Sequence, residues 1–141
     1  MAISSIATRT SSLTTNVGII QWRNGATGRV KTMEVALIQS AGTIQSFGWG
    51  VPAALASTPT DVTFLRDDPA DPASLVISSI TWTTGPSAPT TYKRRANTPA
   101  TAGTGIIWTV PRGIVMAIST ANTIHGISTM IANDVHIVVE E

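Results

Sequence analysis

The chain has no cysteine, which excludes a disulfide framework and a thiolate zinc site. Charge is nearly as scarce. Asp, Glu, Lys and Arg make up 12% of the 141 residues and leave a net charge of +1. That is about half the usual charged fraction. So weak a balance gives no footprint for nucleic acid, which needs clustered Lys and Arg. The single basic run, Lys93-Arg94-Arg95, reads as a solvated strand edge. Apolar runs are short; none approaches about 18 residues, so no membrane span is expected. Residues 1–9 have no basic start followed by an apolar block, so no signal peptide is expected.

Signatures of catalysis are missing as well. No Gly-x-Ser-x-Gly elbow occurs. Gly103-Thr104-Gly105 leads into a strand, whereas a phosphate loop leads into a helix. The two histidines, His125 and His136, with Asp134, form the nearest thing to a zinc set. His136 sits among structural-looking apolar neighbours and His125 precedes Gly126 in a turn-like context, so no metal is expected. Asp67, Asp68 and Asp71 share a loop but lack EF-hand spacing, and Pro69 and Pro72 restrict wrapping of an ion. They read as a solvated acidic turn. Trp22, Trp49, Trp82 and Trp108 are spread over separate segments and read as core and interface anchors, with a sugar-stacking face as the alternative. The expectation is a protein without catalytic, cofactor or metal residues.

What is present is threonine, 22 residues of it, and period-two alternation, both of which favour strands. The last stretch is the clearest. Val135, Ile137 and Val139 alternate with His136, Val138 and Glu140, so 134–139 is expected as an interior strand that closes a sheet. Further strands are expected at 17–22, 30–39, 43–51, 61–66, 75–83, 90–96, 106–110, 113–120 and 123–131. In 30–39, Met33, Val35 and Leu37 form one face, and Thr32, Glu34, Ala36 and Ile38 the other. Gly48 and Gly50 around Trp49 signal a bulge or a close approach. Residues 53–56 fit a single helical turn, and 90–96 is polar enough for a sheet edge.

Short strands with turn signals every roughly 8–12 residues read as an antiparallel sandwich. A terminal strand deep in a sheet favours a jelly roll, with an immunoglobulin-like sandwich as the alternative. One β-domain over 17–141 is expected. Residues 1–16 show no sustained period and are expected as an extended N-terminal arm. Ile3, Ile6 and Leu13, spaced too widely for a local core, are its candidate partner-binding residues.

Several segments also carry a resemblance. They are Phe64-Leu65-Arg66-Asp67-Asp68-Pro69-Ala70-Asp71-Pro72, Trp82-Thr83-Thr84-Gly85-Pro86, Arg94-Arg95, Ile107-Trp108-Thr109-Val110-Pro111-Arg112-Gly113 and Val135-His136-Ile137-Val138-Val139-Glu140. Together, over roughly residues 30–141, they resemble small structural proteins of tailed bacteriophages. The resemblance implies a jelly-roll protein that decorates or cements a phage head, commonly as a trimer, with no catalytic residues. Its partners would be the major capsid protein and its own copies, and its location the virion. The chain departs from that pattern at Thr123–Thr129, where a more hydrophobic segment is usual. The competing function is a phage tail or receptor- or carbohydrate-binding β-sandwich module.

Overall fold

The computed structural model describes residues 1–13, 17–25 and 28–141. Eleven strands are present: β1 (Ile3–Arg9), β2 (Val17–Asn24), β3 (Val30–Gln39), β4 (Gln45–Pro52), β5 (Thr60–Thr63), β6 (Leu65–Arg66), β7 (Val76–Thr81), β8 (Pro89–Thr98), β9 (Gly105–Met116), β10 (Ala121–Gly126) and β11 (Asn133–Glu140). They form two antiparallel sheets, one of order β6-β1-β11-β3-β9 and one of order β5-β7-β2-β10-β4-β8. Leaving out β5–β7, the two sheets read β1-β11-β3-β9 and β2-β10-β4-β8. Successive strands then cross from sheet to sheet except at β4 and β8, which pair. This is the eight-stranded double Greek key of a jelly roll. Strands β5, β6 and β7 are an insertion added at one side. The chain changes sheets between β5 and β6 at Phe64, a core residue, as corners of packed sheets require.

The last strand takes the interior place expected of it, with β1 on one side and β3 on the other. The first segment differs from expectation. Residues 3–9 are extended but lie inside the domain. β1 is paired from Ile3↔Glu140 to Arg9↔Asp134 on one side and with β6 on the other. Ile6 is buried in the core. The lack of a visible period has a simple cause: its inward positions are Ser4, Ile6 and Thr8, and only Ile6 is a large apolar residue. Leu13 pairs with Met130 and packs against the core. Residues 14–16 of the expected arm lie outside the described residues.

Three smaller expectations are also corrected. Residues 53–56 form a bend and loop without a helical turn. The segments 106–110 and 113–120 belong to one strand, β9, up to Met116. Between the pairs Glu34↔Thr109 and Thr32↔Ile114, residues 110–113 face only Met33. Pro111, which has no N–H to give a ladder, sits in that bulge. Met33 is likewise skipped between β3 and β11. One extra residue in a strand reverses its alternation. Thr32 therefore faces the core, fully buried, and accepts a 2.9 Å hydrogen bond from Trp22 Nε1.

The core is a row of rings between the sheets. Trp22 and Trp49 are 5.9 Å apart, Trp49 and Trp108 6.4 Å, and Phe47 and Trp108 5.8 Å. Tilted and edge-on pairs of this kind add to the value of their buried area. Every residue of β10 is buried, so the departing segment Thr123–Thr129 begins in a fully covered strand.

Candidate functional site

Antiparallel sheets usually show one face to the core and one to water, with polar residues outward. The outer face of the five-stranded sheet breaks that rule in part. In register across the strands it presents the rows Leu65–Ser5–Val138–Glu34–Thr109, Ala7–His136–Ala36–Ile107 and Arg9–Asp134–Ile38–Gly105. Ile3 and Val115 flank them. Leu65 is 74% exposed and Ile107 61%, and Ile3, Ile38 and Val115 are also exposed. Ala7 and Ala36 leave a shallow hollow of about 340 Å³ beside His136 and Ile38.

Two pairs of opposite charge on this face, Arg9–Asp134 and Lys31–Glu140, are already matched. Arg9 gives two hydrogen bonds to Asp134, at 2.7 and 2.8 Å. Lys31 Nζ lies 2.6 Å from Glu140, and His136 Nδ1 lies 3.8 Å from Glu34. The Arg9 guanidinium holds the Asp134 carboxyl below its ordinary value, through the hydrogen bond first and charge second. On a face with exposed aliphatic side chains, charges that are already paired, as Arg9–Asp134 and Lys31–Glu140 are, leave fewer ions for a partner to strand.

The candidate partner-binding residues of the sequence divide across the fold. Ile3 is on this face, while Ile6 and Leu13 are committed to the interior. Leu65, Ile38, Ile107 and Val115 were not singled out. The signal available for Ile38 was its place on the second face of 30–39, beside Ala36; for Ile107 it was the doublet Ile106-Ile107.

The remaining candidates have structural roles. His136 and Asp134 lie on the outer face of the five-stranded sheet. His125 lies on the other sheet, beside Gly18 and Gly48. These three cannot share one ion. Among the described residues no group of three or more His, Asp or Glu is placed to hold a metal. Asp67 accepts a hydrogen bond from Ser5 Oγ at 2.8 Å, and Asp68 one from the Ala70 amide at 2.9 Å. Trp22, Trp49 and Trp108 are buried in the core, which removes them from any sugar-stacking face. Lys93, Arg94 and Arg95 lie on β8, an edge strand, with Arg95 5.5 Å from the centre of the Tyr92 ring.

No family model matches this chain, and no curated protein or solved structure matches it either.

Proposed function

We propose that this chain is a non-enzymatic structural protein that decorates the capsid of a tailed bacteriophage, assembling as a homotrimer and docking on major capsid protein subunits. One observation carries the reading: the outer face of the five-stranded sheet exposes Leu65, Ile107, Ile38, Ile3 and Val115 among charges that are already paired. Four strands at ~4.8 Å spacing and seven residues at ~3.4 Å, with the two residues of β6 beside them, give a face of about 490 Å². Covered on both sides, that is about 980 Å², close to the roughly 1,000 Å² a specific interface needs. Exposed aliphatic side chains grouped on one face mark interaction sites. The work is done by binding energy alone, and a trimer multiplies weak contacts into avidity.

The test is light scattering followed by sedimentation with phage heads. The wild-type chain is expected at three times its 14.7 kDa mass and to sediment with heads in near-stoichiometric copy number. Replacing Leu65 and Ile107 by Asp, both exposed and outside the core, should give a folded monomer that stays in the supernatant. A wild-type monomer that ignores heads overturns the proposal.

A further inference from the structure

On the opposite side of the sandwich lies a site that the docking face does not use. His125 is 1% exposed, and among the described residues neither ring nitrogen has a hydrogen-bond partner. Buried polar atoms without partners are rare and destabilising. A site kept in that condition needs a physical account.

The roof over His125 comes from its two neighbours in the sheet. Gly18 and Gly48 lie opposite it on β2 and β4. Pro86 rests on Gly18 so closely that a Cβ there would be 2.5 Å from its ring. The Tyr92 ring covers Gly48 in the same way. Only glycine lets a cover come this near the backbone. Between the cover and the sheet, Trp82, Thr84, Pro86, Ser87 and Val17 line a space of about 310 Å³ with His125.

The cover is held by a zip of hydrogen bonds to the loop after β4. Ser57 N–H donates to Thr84 O at 2.8 Å, Thr83 N–H to Ser57 O at 3.2 Å, and Ser87 N–H to Ala54 O at 3.0 Å. Ala54 N–H donates to Ser87 Oγ at 2.7 Å, and Ala56 N–H to Gln21 Oε1 at 2.9 Å, which ties the loop to the sheet below. All of these bonds are between neutral groups.

No group is present to receive a proton's charge. Residues 41–60 and 73–92 contain no Asp, Glu, Lys, Arg or other His. β2 places only glycine and aliphatic residues beside His125, with its one ionisable residue, Arg23, near the far end, and β4 and β10 add no other ionisable residue. From β8, Tyr92 and, stacked against it, Arg95 face the site, and a cation repels an imidazolium. Burial pushes the imidazole below its ordinary value.

We infer that Trp82–Pro89 is an acid-released cap: protonating His125 requires the cap to lift so that water can solvate the imidazolium. Neutral His125 is tolerated beneath the cap, since only two polar atoms are unmet. The charged form is not tolerated with the ring 1% exposed beneath an uncharged cover. Opening frees the zip and uncovers Gly18 and His125 on the six-stranded sheet, while Tyr92 stays over Gly48. The docking face on the other sheet is untouched.

The experiment follows amide exchange and the His125 ring resonances in the full chain from pH 7.5 to 4.5. Protection of the Ser57, Thr83, Thr84 and Ser87 amides is expected to fall by up to about tenfold per pH unit below about 6.5, while amides of β3 and β11 hold. His125→Leu should abolish the fall and His136→Gln should keep it. A wild-type zip with constant protection, or an equal fall in His125→Leu, overturns the inference. If His125→Leu does not fold, the wild-type resonances decide. Titration of His125 in step with the loss of protection supports the cap, and titration without it overturns the cap.

Discussion

Gln39, Gln45 and Asn133 are as deeply buried as His125, and Thr98 nearly so, yet their surroundings are opposite. Gln45 Nε2 donates to Gln39 Oε1 at 2.7 Å, and Thr98 Oγ1 donates to the same oxygen at 2.8 Å. Asn133 Nδ2 donates to Gln45 Oε1 at 3.0 Å, and the Asn133 amide to Thr10 Oγ1 at 3.1 Å. Gln39 Nε2 reaches the carbonyls of Pro99 and Thr101. A closed network of this kind fixes a unique arrangement of β1, β3, β4, β8 and β11 and penalises any other. His125 fixes nothing. The comparison shows that burial alone does not tell a structural polar residue from a poised one; the partner count does.

The harshest way to break the network is to remove the strand that holds its Thr10 corner. Deleting residues 1–10 takes away β1, leaves β11 with an open edge on that side, and removes Ile6 from the core. Such an exposed edge also invites association. The expected outcome is loss of the cooperative thermal transition. A truncated chain melting within a few degrees of wild type would show that β1 contributes little to the fold.

A single substitution inside the network comes next. Gln39→Leu strips the acceptor from Thr98 and one of two acceptors from Gln45 Nε2, and removes one donor each from the Pro99 and Thr101 carbonyls, which keep the Thr101 N–H and the Thr104 N–H and hydroxyl. With the Thr98 hydroxyl left as a buried orphan costing about 1–3 kcal/mol, a loss of about 2 kcal/mol in chemical denaturation is expected. A loss under about 1 kcal/mol would mean that water replaces the amide freely.

The difference between these regions also explains what the sequence disclosed. Alternation in 30–39 and 134–139 revealed two central strands and so a sandwich, because apolar burial writes itself directly into residue spacing. It failed at residues 3–9, where Ser4 and Thr8 occupy inward positions and silence the pattern. It failed at Thr32, because a bulge at Met33 shifts the phase and leaves no mark in composition. The docking face was half legible. Ile38 stood on the second face of its strand, but Leu65 gained its place only when β6 paired with β1. The network and the capped histidine were not legible. Gln39, Gln45 and Asn133 are separated by 6 and 88 positions, and His125 looked like a turn residue because its cover comes from distant loops.

Acid sharpens the comparison with a smaller effect. Amides do not titrate, so the network is indifferent to pH, whereas His125 is not. Its folded-state value is pushed below the unfolded value of about 6.5. Above that pH both states are neutral at this site and it adds no pH dependence. As pH falls through about 6.5 the unfolded chain takes up the proton first, so stability is lost, at a rate approaching about 1.4 kcal/mol per pH unit, until the folded imidazole also charges. Denaturation of wild type and His125→Leu at pH 7.5 and 5.5 should show this loss in wild type alone. Equal losses in the two would assign the acid sensitivity elsewhere.

The smallest effect is the most pointed. At pH 7.5, His125→Leu should leave stability unchanged or raise it by about 1 kcal/mol, against the sign of most core substitutions. Leu has a similar volume and carries no polar atoms, so the two unmet nitrogens disappear while the contact with Pro86 and the Gly18 backbone is kept. Replacing an unsatisfied polar group by an apolar one of like shape is neutral to stabilising, whereas truncating a satisfied one is not. The mirror substitution makes the contrast direct. Thr10→Val, also near-isosteric, removes the acceptor of the Asn133 amide and should cost about 1 kcal/mol. If His125→Leu instead costs as much as or more than Thr10→Val, the imidazole has a partner in solution that stabilises it, and its burial belongs with the network and not apart from it.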